Sequence, residues 1–348
     1  MSELVTNQAS FLYPWLVESF QSLTQHPIPN SLLIHGEKDI GKLQYGLELA
    51  NYLLCESTAH RPCHACDACH WVANGAHPDL FVITPQNLKH LLPFDTDEGD
   101  DASESEDKKQ SKFIRIEQIR QVIAKNELGS YRGGKRVVLI YPVEAMQAEA
   151  ANCLLKTLEE PSAQLHFILI TSHLEKILPT IRSRCQFSAI PKPSHPIASQ
   201  WLIDQLPETL TQEKIDQQLA LYAGSPLKVM QSIGHKTLDE LTIVNELSKF
   251  KLLQSGVIIE QLQQHTLFDI LNCIYKWSID LNLVAFGLES RYFPHLASLM
   301  KSHTQQLSKA TLQHFIAHLR DDIRLANHPL FPKVQLDTLL MKYKQIFS

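Results

Sequence analysis

No run of about 18 apolar residues occurs in the 348-residue chain, so no segment of it is expected to cross a membrane as a helix. No hydrophobic leader precedes Met1-Ser2-Glu3-Leu4. The expected compartment is therefore the cytoplasm, a reducing one in which disulfides are rare. No internal repeat is evident, which excludes a solenoid. Lysine and arginine are missing from residues 95–107, where eight acidic side chains fall together. Setting that run aside turns a formal net charge of −5 into +3, so the acidity is local. A like-charged block containing Gly99, Ser103 and Ser105 cannot bury enough apolar surface to order itself, and a disordered insertion over 95–110 is expected. A docking segment for a basic partner is the alternative.

What the chain does concentrate is cysteine. Four of its seven cysteines, Cys55, Cys63, Cys66 and Cys69, lie within fifteen residues. Two overlapping Cys-x2-Cys pairs bring thiolates to one cation, and the upstream Cys55 completes a tetrahedral set for one structural zinc ion. Disulfides or free thiols are the alternative, disfavoured in a reducing compartment. His60, His64 or His70 could replace one sulfur, though four thiolates need no substitute. Cys153, Cys185 and Cys273 are isolated and read as small buried residues. Between residues 55 and 79 the only Lys or Arg is Arg61, so the zinc module is expected to be structural and to face protein rather than phosphate.

Short apolar runs alternate with stretches of helical spacing. Ser31-Leu32-Leu33-Ile34-His35, Leu80-Phe81-Val82-Ile83-Thr84, Val137-Val138-Leu139-Ile140 and His166-Phe167-Ile168-Leu169-Ile170-Thr171 read as buried strands. Three sets recur at helical spacing: Leu43, Leu47, Ala50, Leu53 and Leu54; Ile116, Ile119, Val122 and Ile123; and Ala151, Leu154, Leu155 and Leu158, stopped by Pro161. The alternation predicts an α/β domain over 1–190, with a parallel sheet covered by helices on both faces. Three prolines in Pro191-Lys192-Pro193-Ser194-His195-Pro196 make a stiff connector. Beyond it lie helical stripes: Leu267, Ile270, Leu271 and Ile274; Leu312, Phe315, Ile316, Leu319 and Ile323; Leu336, Leu339, Leu340 and Tyr343. They predict a small helical domain over 191–236 and a larger helical one over 237–348.

Gly36-Glu37-Lys38-Asp39-Ile40-Gly41-Lys42-Leu43 follows a strand and opens a helix, the setting of a phosphate-binding loop. Such loops need glycines so that backbone N–H groups can wrap phosphates, a Lys for their charge, and a Ser or Thr to hold magnesium. Gly36, Gly41 and Lys42 are present, but Leu43 stands where the hydroxyl belongs. The second anchor should be an Asp at the end of the third strand, followed by a Glu that polarises water. The chain has Tyr141-Pro142 there, and Glu144 comes too late. Two independent losses in one site point to a nucleotide-binding fold that gave up hydrolysis. ATP binding is not expected, and Lys42 is left to line a weak anion pocket or to serve structure. Ser183-Arg184-Cys185 lies a short way past the fourth strand. An exposed Arg there can reach a neighbour's γ-phosphate as an arginine finger, or form an ordinary surface salt bridge.

Several segments together resemble the delta prime family of bacterial DNA polymerase III clamp-loader subunits. They are Tyr13-Pro14-Trp15-Leu16, the cysteine quartet, Gly75-Ala76-His77-Pro78-Asp79, Asn152-Cys153-Leu154-Leu155-Lys156-Thr157-Leu158-Glu159-Glu160-Pro161 and Arg182-Ser183-Arg184-Cys185. The resemblance covers about residues 10–235 well, and the tail only by helical character. It implies an AAA+ module with a zinc insertion, a small lid domain and a C-terminal collar. It also implies a five-subunit ring, with three gamma or tau ATPase copies and a delta subunit, that loads the beta sliding clamp on primer-template DNA. In that setting the subunit is a rigid stator without ATPase activity, and Arg184 faces the ATP site of the adjacent subunit.

Two departures from the family pattern stand out. Lys42 is retained where the family's loop is often more degraded, and Lys228 stands where active relatives tend to carry an arginine that reads nucleotide state. An active gamma/tau-type ATPase would require Ser or Thr at 43 and Asp-Glu at 141–142. A free-standing zinc nucleic-acid-binding protein would require a basic stripe beside the cysteines.

Overall fold

Four apolar runs become the middle and one flank of a single parallel sheet. Strands β1 (Ser31–His35), β2 (Leu80–Ile83), β3 (Arg136–Ile140), β4 (Leu165–Thr171) and β5 (Gln186–Ala189) lie in the order β2-β3-β4-β1-β5. Every neighbouring pair is parallel, with Leu33 opposite Leu169 and Val138 opposite Phe167. The computed structural model describes residues 10–94, 111–127, 129–206, 211–233, 238, 240–326 and 331–347. The acidic insertion expected over 95–110 lies outside the described residues.

Every residue of β3 and β4 is buried. A strand covered on both faces reads as a continuous apolar run, which is why these were visible. β5 is a strand that the sequence pattern does not announce. Gln186-Phe187-Ser188-Ala189 is mostly exposed, and its pairing with β1, Ile34 opposite Ser188, holds it in the sheet. The two flanking strands, β2 and β5, are each four residues long.

Among the described residues six α-helices accompany the sheet: α1 (Val17–Thr24), α2 (Lys42–Leu54), α3 (Asp67–Ala73), α4 (Ile116–Glu127), α5 (Ala148–Glu159) and α6 (Pro179–Arg182). α2 lies so near the sheet that a Cβ on Gly46 would meet Ile170 Cδ1 at 2.5 Å and Leu139 Cδ1 at 3.2 Å. A larger residue would force these buried side-chain ends, or the helix itself, to shift. Leu33, Val138, Phe167 and Leu169 share a core with Ile119 of α4 and with Leu154 and Leu158 of α5. Successive strand side chains point to opposite faces, so α2 covers one face and α4 with α5 the other.

The chain divides after Pro193 into two compact units, Met1–Pro193 and Ser194–Ser348. The second contains no strand among the described residues. Its helices are α7 (His195–Gln205), α8 (Gln212–Leu221), α9 (Pro226–Ile233), α10 (Glu240–Ser248), α11 (Ser255–Glu260), α12 (Leu267–Ala285), α13 (Ala297–Thr304), α14 (Lys309–Leu325) and α15 (Pro332–Lys344). Ala198, Leu202, Ile215, Leu219 and Val229 make one apolar core in α7–α9. A larger core runs through α10–α15 around Trp277 and Tyr343. There Trp277 Nε1 donates to Tyr343 Oη at 2.8 Å, and that hydroxyl donates to the Leu247 carbonyl at 3.1 Å, pinning α12, α15 and α10 together.

Asp280 on α12 is fully buried and accepts the backbone N–H groups of Arg291, Tyr292 and Phe293 at 2.8, 2.8 and 2.7 Å. Burial pushes its carboxyl up from the ordinary carboxylate range, against the downward pull of those amides. Asp280→Ala would strand three donors at about 1–3 kcal/mol each, a loss on the order of 3 kcal/mol or more. Urea unfolding of the variant measures it, and a loss below about 1 kcal/mol would mean that solvent reaches the 291–293 turn.

Candidate functional site

Helix α2 begins at the glycine-rich loop and ends at the first clustered cysteine, so one element positions both candidate sites. At its start Gly41 has φ 88°, and a Cβ there would run into the Tyr13 ring. Glycine is required both by the left-handed backbone and by the ring above it. Tyr13 stacks on Trp15 at 5.0 Å, and Trp15 Nε1 donates to the Ile40 carbonyl at 2.9 Å. The aromatic pair therefore sits on the loop and fixes its path.

Lys42 is buried, and its Nζ donates to the Glu37 carbonyl within the same loop. Burial lowers its pKa to about 8, with Asp39 and Glu144 pulling the other way. Leu43 is also buried, part of the packing of α2. At the end of β3, Tyr141 donates its N–H to the Ile83 carbonyl at 3.0 Å, and burial raises its phenol to about 12. Glu144 lies in the turn beyond, where one carboxylate oxygen accepts the Ser172 N–H at 3.2 Å. Gly36, Gly41 and Lys42 are thus brought together as a loop, with no hydroxyl at 43 and no carboxylate at 141–142.

Cys55 caps the end of α2, while Cys66 caps the start of α3 and Cys69 lies within it. With Cys63 they bring four sulfurs within 4.8 Å of one another. The Sγ separations are 4.0 Å for Cys55–Cys66, 3.8 Å for Cys63–Cys69 and 3.5 Å for Cys66–Cys69. Zinc–sulfur bonds of about 2.3 Å in a tetrahedron put sulfurs about 3.8 Å apart, so the cluster could bind one zinc. The Cys63 N–H donates to Cys55 Sγ at 3.4 Å, a contact that favours thiolate. Backbone N–H donation, Ala65 first, lowers the Cys63 thiol to about 6, whereas burial pushes Cys55 and Cys69 up. Four thiolates this close need a cation to hold their charge.

No histidine joins the quartet among the described residues. His64 instead pairs with buried Glu48 on α2, Nε2 to Oε1 3.1 Å, and its Nδ1 lies 3.2 Å from Asn51 Nδ2. Glu48 also accepts Ser10 Oγ–H at 2.9 Å and the Phe11 N–H at 3.3 Å. This carboxylate ties the N-terminal segment and the cysteine loop to one helix. Its only trace in the sequence is a charge inside Gly46-Leu47-Glu48-Leu49-Ala50, where a helix is otherwise apolar. Of the isolated cysteines, Cys185 and Cys273 are buried, while Cys153 is only half-buried beside the α4–α5 core.

Arg184 lies between α6 and β5, half-buried at the surface. Its Nε and Nη2 both donate to Glu159 Oε1 at the end of α5, and Nη1 donates to the Thr180 carbonyl at 2.8 Å. Lys228 lies in the first turn of α9.

A family model described as "DNA polymerase III, delta subunit" matches residues 15–194. DNA polymerase III subunit delta′ of Pseudomonas aeruginosa is 33% identical over 276 residues, spanning 78% of this chain and 76% of that protein. The subunit of the same name from Escherichia coli is 32% identical over 222 residues, 62% of this chain and 58% of that protein. A solved DNA polymerase III gamma subunit-related protein of Thermotoga maritima has a TM-score of 0.44 at 17% identity, over 95% of this chain and 99% of that one.

The sulfur geometry predicts about one zinc per chain by elemental analysis of protein purified without added metal. The paired Cys66→Ser, Cys69→Ser variant should lose that metal, and with it the order of the surrounding loop. A folded wild type with zinc near zero, or a variant that keeps its full metal content, would overturn the assignment.

Proposed function

We propose that this chain, which belongs to the DNA polymerase III delta′ family, is the ATPase-inactive stator of a clamp loader. The observation that carries this reading is a phosphate loop with both magnesium anchors missing: Leu43 is buried in the packing of α2, and Tyr141-Pro142 closes β3. Phosphoryl transfer depends on metal to neutralise charge on the phosphates, and Lys42 alone does not supply it. With its Nζ on the Glu37 carbonyl, Lys42 serves the loop rather than a nucleotide. The zinc module is a structural cofactor site.

Arg184 is the arginine finger. It serves the nucleotide of an adjacent gamma or tau subunit, since its own loop lacks the means to use one. The ion pair with Glu159 does not oppose this role. An exposed pair is worth about 0–1 kcal/mol, so a γ-phosphate readily takes the place of the carboxylate. The partners are gamma or tau ATPase subunits and a delta subunit, and through the complex the beta clamp and primer-template DNA. In this reading residues 191–236 are a lid, residues 237–348 are a collar for assembly, and the protein works in the cytoplasm. No helix among the described residues is long and apolar enough to cross a membrane.

The isolated chain should hydrolyse ATP no faster than background, with and without magnesium, and Lys42→Ala should change nothing. Magnesium-dependent turnover abolished by Lys42→Ala would reverse the reading. In a reconstituted loader, Arg184→Ala should leave the ring assembled but slow DNA- and clamp-stimulated hydrolysis and clamp loading. Loss of a finger costs on the order of 10³-fold at the site it serves, so with several sites active the bulk loss is partial. Wild-type rates in both assays would make Arg184 an ordinary surface arginine.

A further inference from the structure

The fold assembles a cavity with three cationic side chains in its wall that neither the phosphate loop nor the arginine finger explains. A pocket of about 350 Å³ beside the cysteine module is lined by Glu56 and Arg61 of the module's loop, His77 and Asp79 ahead of β2, and Arg132 and Lys135 of the turn leading into β3. In the sequence Arg61 stands alone among the cysteines. Folding brings two more cations to it from a segment some seventy residues away.

The carboxylates of this pocket are already engaged, and its one thiol, Cys55, belongs to the zinc set. Glu56 pairs with Arg132 at 2.9 Å, and the Arg132 guanidinium lies over the Trp71 ring at 4.6 Å. Asp79 accepts Ser130 Oγ–H at 3.1 Å and the N–H groups of Tyr131 and Arg132 at 2.9 and 3.3 Å. The donors are not engaged to the same degree. Arg61 Nε donates to the Ser57 carbonyl at 2.5 Å, which leaves its two Nη groups without a partner among the described residues. Lys135 has no hydrogen bond or ion pair among the described residues, and burial and the like charge of Arg61 both lower its pKa. His77 is 6% exposed. Its Nδ1 accepts the Asp79 N–H at 3.1 Å, so the ring proton sits on Nε2, for which the described residues offer no acceptor. A cavity with spare donors of positive charge and a spare imidazole N–H favours an anion.

The rim says which anion. Tyr131 is 87% exposed on the same turn, whereas the Trp71 ring is already covered by Arg132. An exposed aromatic face next to cations is the arrangement on which unpaired bases stack while their phosphates are neutralised. We propose that this pocket binds a backbone phosphate of single-stranded DNA through Arg61, Lys135 and His77, with Tyr131 stacking on an adjoining base. Guanidinium and ammonium groups supply the charge-assisted bonds that phosphate oxygens accept. The site belongs to the chain by itself, so it stands or falls apart from Arg184 and from assembly.

The test is fluorescence anisotropy of a labelled oligothymidylate with the zinc-loaded full chain at low salt. Wild type should bind, and Lys135→Ala and Arg61→Ala should each weaken binding several-fold. Each should also lower the log–log salt slope by about 0.7 for every phosphate it no longer neutralises. Lys135→Arg should retain binding. Tyr131→Ala, at an exposed position that packs nothing, should cost about fivefold or more. Zinc content and circular dichroism identify any variant that fails to fold. Absence of wild-type binding would overturn the proposal, as would affinity indifferent to Lys135→Ala and Tyr131→Ala. Binding of inorganic phosphate alone, seen in phosphorus NMR and abolished by Lys135→Ala, would replace DNA by a free anion and overturn it too.

Discussion

Helix α2 is buried along nearly its whole length, eleven of its thirteen residues, and both candidate sites hang from its ends. A helix so enclosed tolerates little. It needs a small residue, Gly46, where it crosses β3 and β4, and a partner for the charge it carries inward. Glu48 meets that requirement by holding the N-terminal segment and His64 at once. At 1.5 Å per residue the helix spans about 20 Å. Whatever happens at the phosphate loop is therefore felt at the cysteines only by movement of a rod packed on all sides, and such rods do not bend easily.

The same enclosure accounts for the state of the phosphate loop. A lysine amine drawn into the packing must find an acceptor, and with no hydroxyl or carboxylate organised for magnesium nearby the acceptor is a backbone carbonyl, Glu37. Leu43 then adds apolar packing where a threonine would leave a hydroxyl to be satisfied. At position 43 the missing hydroxyl and the packing of α2 are, in energetic terms, one change. The loop stays in shape because Tyr13 and Trp15 hold it.

Much of this was legible in the sequence because burial leaves periodic marks. β1, β3 and β4 each carry an unbroken run of three or more apolar residues, α2 and α5 repeat at helical spacing, and the cysteine quartet carries its own spacing. What escaped is whatever depends on residues far apart in the chain. β5 has no pattern of its own and becomes a strand only by pairing with β1. The poverty of basic residues around the cysteines, plain in sequence, is made up by Arg132 and Lys135, which arrive with β3. Glu159, read as part of a helix end, turns out to hold Arg184 across 25 positions. Local spacing carries no information about such meetings.

The shape of the sheet has a consequence for how the protein behaves in crowded solution. Its interior strands are five to seven residues long, but it ends on each side in a strand of four. A free sheet edge is a template for another chain, and its hazard grows with the number of unpaired amides in a row. Four residues present only a few, and β5 breaks its own apolar character with Gln186 and Ser188. Side-by-side fusion of sheets is thereby discouraged, which leaves association to side-chain surfaces rather than to backbone.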